Sequence, residues 1–252
     1  MNTLNYYLNQ KIKLSQSENI QEKLKISAKS KINNFDYTPE NKEELKAIIK
    51  DIIEKNGNNA NLNNIDTSKI TDMEQLFVGL NPGNIDITYW NMENVENIKA
   101  MFWHCHDFNC DLSKWNVSKI RNMSNAFEEC YNFNCDLSNW DVSNVTTLLH
   151  TFDTCTNFEG KGLEKWNIKN VFSLYGTFRN CHNFNCDLSK WDVSNVVYMN
   201  ACFDGCEKLD CDLSNWKTDQ VKSMKTMFSG CKKLIKDRKI PDWYPFKRLF
   251  YI

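Results

Sequence analysis

Eleven cysteines and four histidines are the residues of this chain with the most chemistry to offer. Cys105 and Cys110, Cys130 and Cys135, Cys181 and Cys186, and Cys206 and Cys211 are each separated by four residues, the wide end of zinc-ligand spacing. His104, His106, His150 and His182 stand near them in sequence. A Cys/His metal-binding protein, or an enzyme using these cysteines, is one reading. Disulfides are another: in stacked copies, Cys110 with Cys135 and Cys186 with Cys211 would come about 5 Å apart, inside the permitted range. The simplest reading is that the thiols recur because the chain recurs. Cysteine is a common small buried residue. An odd count with no visible export signal also favours the reduced state. Buried, reduced thiols are therefore expected, with no metal ligand and no cofactor assigned.

Carboxylates form a second series. Asp111, Asp136, Asp187 and Asp212 share one register, and Asn109, Asn134, Asn185 and Asp210 precede each of them by two residues. On an outward face such a ladder can meet a cation or a basic partner. Solvation, or hydrogen bonding to turn backbone, is the plain alternative. That alternative is preferred to calcium binding and stands level with a basic partner. The candidate binding residues are Asp111, Asp136, Asp187, Asp212, Asn109, Asn134 and Asn185. No nucleophile–base pair stands out. Ser118, Ser143 and Ser194 recur as a capping pattern, and Gly160-Lys-Gly162 is too short for a phosphate loop.

The element that must position these residues is a repeat. Trp90, Trp115, Trp140, Trp166, Trp191 and Trp216 follow one another at steps of 25, 25, 26, 25 and 25. Phe77, Phe102, Phe127, Phe152, Phe178, Phe203 and Phe228 keep the same beat. A fixed period in this range signals stacked supersecondary units, each unable to bury its faces alone. Within one copy, Phe133, Cys135 and Leu137 alternate with polar residues, which predicts a short strand. Val145, Leu148, Phe152 and Cys155 fall at steps of three, four and three, which predicts a short helix capped by Ser143. The expected fold class is thus an α/β repeat, a leucine-rich-repeat-like solenoid of about seven 25-residue strand–helix units with a helical N-cap. One copy, Phe158-Glu-Gly-Lys-Gly-Leu163, carries an extra residue and two glycines and is read as a bulge.

The expected organisation is a polar extension over 1–36, an N-terminal capping helix within 37–64, the repeats over 65–235 and a C-terminal cap or tail over 236–252. Thr38, Pro39 and Glu40 look like the start of the first helix, and Gly57 looks like its stop. Net charge is −1, unevenly placed. Residues 1–33 hold six Lys against two acids, and residues 232–252 hold seven Lys or Arg against two Asp, leaving −10 between them. An acidic middle gives no footing for nucleic acid along the repeats. It suits a basic partner. No 18-residue apolar run exists, so no transmembrane segment is expected. The first residues lack the apolar core of a signal peptide.

The motifs Asn134-Cys-Asp-Leu-Ser-Asn-Trp-Asp-Val-Ser-Asn-Val145 and Asn185-Cys-Asp-Leu-Ser-Lys-Trp-Asp-Val-Ser-Asn-Val196 resemble the DUF285 type of BspA-like leucine-rich repeat. The lead-in, Tyr37-Thr-Pro-Glu-Asn-Lys-Glu-Glu-Leu45 followed by Ile65-Asp-Thr-Ser-Lys-Ile-Thr-Asp-Met73, is similar to that family's entry. The likeness covers residues 37–235. It implies a leucine-rich-repeat-like fold and a surface protein engaged in adhesion or protein–protein interaction, against which the missing export signal points to the cytoplasm. The expected function is a non-enzymatic binding module whose partner is a protein or surface glycan, basic in character.

Overall fold

The computed structural model describes residues 35–80 and 82–251. The expected N-terminal extension, apart from Phe35 and Asp36, lies outside the described residues. Two α-helices, Lys42–Asn56 and Lys232–Lys236, and two 3-10 helices, Leu163–Lys165 and Lys247–Phe250, are the only helices among them. The described residues contain no strand. Pairing between copies is confined to isolated parallel bridges, among them the series Asp72–Asn97–Asn122–Thr147–Ser173–Tyr198–Ser223. The expected α/β repeat of strand–helix units is therefore wrong. The repeating unit is a coil of successive tight turns, one rung per copy.

The helix expected at Val145–Cys155 fails because its amides are committed elsewhere. His150, Phe152 and Thr154 donate N–H to the carbonyls of Tyr175, Thr177 and Arg179 in the next rung. The intervening amides close local turns: Thr151 to Leu148, Asp153 to His150, Cys155 to Phe152. None of these N–H groups reaches the carbonyl four residues back that an α-helix requires. The backbone also turns left-handed twice per rung. Gln75, Ala100, Asn125, His150, Gly176, Ala201 and Thr226 form one such row, and Gly79, His104, Glu129, Thr154, Asn180, Gly205 and Gly230 another. A right-handed helix tolerates neither row. Chained turns bury every third or fourth residue just as a helix does, so the apolar spacing could not tell them apart.

The expected strand at Phe133–Leu137 fails for a related reason. Side chains interrupt the backbone ladder that a strand would need. Asn134 N donates to Asn109 Oδ1 at 2.9 Å, and Ser138 N to Asp136 Oδ1 at 3.0 Å. One rung earlier, Leu112 N donates to Cys135 Sγ at 3.2 Å.

What these turns enclose is a ladder of aromatic rings. Phe77, Phe102, Phe127, Phe152, Phe178, Phe203 and Phe228 stack in one file with centroids 5.1–5.9 Å apart. Trp115 stacks on Trp140 and Trp140 on Trp166, each at 6.3 Å and nearly parallel. Each tryptophan of this file also donates its Nε1–H to a carbonyl of the preceding rung, Trp140 to Leu112 at 3.0 Å and Trp191 to Leu163 at 2.8 Å. The ring is thus buried and its one polar atom satisfied, as a buried indole requires.

Both ends of the column are covered. Helix Lys42–Asn56 turns Leu45, Ile48, Ile49, Ile52 and Ile53 into the core. Asn41, not Thr38, caps it, its Oδ1 accepting from Glu44 N at 2.9 Å. The chain before it is still held in rung register by the Tyr37–Ile65 bridge, so the helix begins later than the Thr-Pro-Glu signal suggests. Gly57 closes it with a positive φ and an N–H bond to Ile53 O. At the other end Trp243 extends the tryptophan file, stacking on Trp216 at 6.3 Å and donating to Leu213 O at 2.8 Å. Tyr244 then packs edge-on against Phe228, the last ring of the phenylalanine file, with centroids 5.0 Å apart.

The bulge has a specific construction. Gly162, at φ 94°, lies so close to the preceding rung that a Cβ would sit 2.2 Å from the Ser138 amide nitrogen. The extra residue lets Lys161 O accept from Leu137 N at 3.0 Å, where regular rungs offer a cysteine sulfur.

Two stability measurements check this architecture. Trp140→Ala removes a stacked ring and strands the Leu112 carbonyl, and should cost about 3–5 kcal/mol in denaturant unfolding. Gly162→Ala should cost about 2 kcal/mol or more, since backbone must move, whereas Gly79→Ala, with nothing within 4 Å of the added Cβ, should cost about 1 kcal/mol or less. Equal costs for the two glycine variants would contradict the close approach at Gly162.

Candidate functional site

The seven residues expected to form a binding face fall into two structural roles. Asp111, Asp136, Asp187 and Asp212 each accept an N–H two residues on, from Ser113, Ser138, Ser189 and Ser214, at 2.9–3.0 Å. This local turn is what aspartate is suited to make. Asn109, Asn134 and Asn185 each accept the amide of the next rung through Oδ1, from Asn134, Glu159 and Asp210, at 2.9–3.0 Å. The asparagines thus bind rung to rung, while the aspartates shape each turn within its rung.

Neither role removes the carboxylates from solvent. Asp111, Asp187 and Asp212 are exposed and Asp136 is half-buried. Hydrogen bonds from Ser113 hold the Asp111 carboxyl below its ordinary range, and Ser189 and Ser214 do the same for Asp187 and Asp212. Lys161, on the bulge, bonds Asp136 at 2.8 Å and depresses it further. All four are therefore ionised at neutral pH. Around the last two rungs a shallow groove of about 480 Å³ is lined by Asn185, Asp187, Ser189, Asp210, Asp212 and Asn215. It continues into a second of about 350 Å³ beside Glu159, Lys161 and Glu164 of the bulge. Lys233 and Lys239 from the C-terminal segment pair with Asp210 at the rim.

The cysteines face the other way. All eleven are free and buried. Those of the Phe-side turns donate S–H to the phenylalanine carbonyl one rung back: Cys130 to Phe102 at 3.1 Å, Cys155 to Phe127 at 2.9 Å, Cys181 to Phe152 at 2.9 Å, Cys206 to Phe178 at 3.0 Å and Cys231 to Phe203 at 3.0 Å. Cys110, Cys135 and Cys211 instead accept an amide through sulfur, from Ile87, Leu112 and Leu188. Burial pushes the Cys105 and Cys186 thiols up to about 12 and those of Cys135 and Cys211 to about 11. A thiol held protonated in this way is a poor nucleophile and a poor metal ligand. The histidines do not join them: His104 and His106 are exposed on either side of inward-facing Cys105.

Two features lay outside the sequence expectations. Phe172, Tyr175 and Tyr198 are exposed on neighbouring turns, next to the Ser173–Tyr198 bridge. They occupy positions that in other rungs are Arg121, Ser124 and Asn122, so no repeat signal marked them. His104 and Glu129, 25 residues apart, meet across one rung step. The period itself could have paired them.

Thiol counting checks the inward assignment. Native protein at pH 8 should label slowly with a thiol reagent, and denaturation without reductant should release all eleven groups. Fast labelling of most thiols in the native state would contradict their burial.

A family model described as "Mycoplasma protein of unknown function, DUF285" matches residues 44–161 and 146–247. No curated protein matches the chain.

Proposed function

The chain belongs to the DUF285 family, and from that premise we propose that it is a non-enzymatic interaction module that receives a basic protein partner on its aspartate–asparagine face. The observation that carries this reading is the row Asp111, Asp136, Asp187 and Asp212, kept ionised and held in one orientation by turns that the partner need not rearrange. Fixed like charges along a groove raise the local concentration of an oppositely charged ligand and speed its arrival. The pre-formed turns also reduce the ordering cost of binding.

The acidic middle segment, at −10 overall, adds a long-range field of the same sign. Its resemblance to BspA-like proteins extends the reading to adhesion at a cell surface. A Cys/His centre or a thiol enzyme is the competing class, and the buried, hydrogen-bonded thiols weigh against it. Among the described residues no helix is long and apolar enough to cross a membrane.

Asparagine can accept the same turn hydrogen bonds as aspartate. The fourfold variant Asp111→Asn, Asp136→Asn, Asp187→Asn, Asp212→Asn should therefore keep its fold. With a partner recovered by pull-down on the intact chain, that variant should associate roughly tenfold more slowly at low salt and approach the parent at high salt. Unchanged association at both salt concentrations would remove this face as the site.

A further inference from the structure

We propose that His104, His106 and Glu129 form a site for a divalent transition-metal ion, with zinc the best match. The three side chains offer one ligand atom each, all within 4.8 Å of one another. Glu129 Oε2 is the focus: it lies 2.7 Å from His104 Nδ1 and 3.8 Å from His106 Nε2. A tetrahedral ion with bonds of 2.0–2.1 Å spaces its ligands roughly 3.3 Å apart. The first distance must open and the second close by about half an ångström, within the reach of small side-chain rotations.

Neighbouring rings brace both imidazoles. Tyr131 lies flat on His106, with centroids 4.5 Å apart and planes 5° from parallel. Trp103 stacks on His104 at 4.5 Å. The rung register sets these pairings, because 104 and 129 are one period apart, as are 106 and 131. The arrangement is nonetheless particular to this step of the column. Residues at the 104 register elsewhere are Gly79, Thr154, Asn180, Gly205 and Gly230. His104 and Glu129 both stand at φ 62°, a conformation that three of those positions fill with glycine. Two bulky residues with ligating atoms therefore occupy successive positions of this left-handed row, with Glu129 Oε2 2.7 Å from His104 Nδ1.

The donor set selects the ion. Two imidazole nitrogens and one carboxylate suit zinc, copper or nickel, whereas calcium and magnesium require a shell of oxygens. The histidines are exposed, so water fills the remaining coordination positions, the open form of a site built from two histidines and one carboxylate. No cysteine takes part.

Zinc titrated calorimetrically into the reduced, chelator-stripped full chain should show one saturable site. His106→Ala and Glu129→Gln should each weaken it tenfold or more. Both residues are near the surface, so melting temperatures in chelator should stay unchanged. Zinc should raise the melting temperature of the parent and not of the His106→Ala variant. Cobalt substituted for zinc should give the absorption of nitrogen and oxygen ligands. Absence of saturable binding, full retention of it in both variants, or a cobalt–thiolate spectrum would overturn the proposal.

Discussion

Everything in this protein hangs on the bond between one rung and the next. An amide at a left-handed turn position donates to a carbonyl 24 or 25 residues ahead, as Asn125 does to Leu149 and His150 to Tyr175. That bond cannot form unless the chain gives up helix locally. It also cannot form out of register, because each rung has several such amides and each must find its own carbonyl. A buried amide left unpaired costs as much as a lost hydrogen bond, and often more. The rung step is thereby fixed, and with it the superposition of the recurring Trp, Phe, Cys, Asn and Asp.

Given that constraint, the side chains do work that backbone does in a sheet. Sulfur and amide oxygen accept N–H bonds where a strand would offer carbonyls, as at Cys135, Cys211, Asn134 and Asn185. Indole N–H and thiol S–H donate back to the preceding rung at Trp140 and Cys155. The residues with the most conspicuous chemistry are thus largely consumed by architecture. At the bulge, where Gly160 and Lys161 replace the usual Cys-Asp pair, a backbone carbonyl takes over the sulfur's role. The same exchange brings a lysine onto the aspartate row.

What the core does not consume stays at the surface. The aspartate row is exposed because only the turn, not the core, needs those positions. The exposed rings of Phe172, Tyr175 and Tyr198, and the His104–Glu129 contact, arise where a rung departs from consensus. In a repeat protein such departures carry information that the repeats themselves cannot, since a residue required by every rung has little freedom to differ for a partner.

The sequence by itself determined the period, the rung partners and the identity of the core. From Trp115 and Trp140, from Phe127 and Phe152, and from the run Leu45 to Ile53, what stacks on what and where a helix lies could be read directly. The odd glycine-bearing copy at 158–163 was visible as an extra residue. The conformation of each rung was not legible. The steps Val145, Leu148, Phe152 and Cys155 satisfy a helix and a chain of tight turns equally, and alternation at Phe133, Cys135 and Leu137 satisfies a strand and an Asx turn equally. Only the tertiary structure decides between them, because the decision is made by carbonyls a full rung away in sequence. The candidate site followed the same division. The aspartate register was plain from spacing, while its turn hydrogen bonds and the approach of His106 to Glu129 exist only once the rungs are stacked.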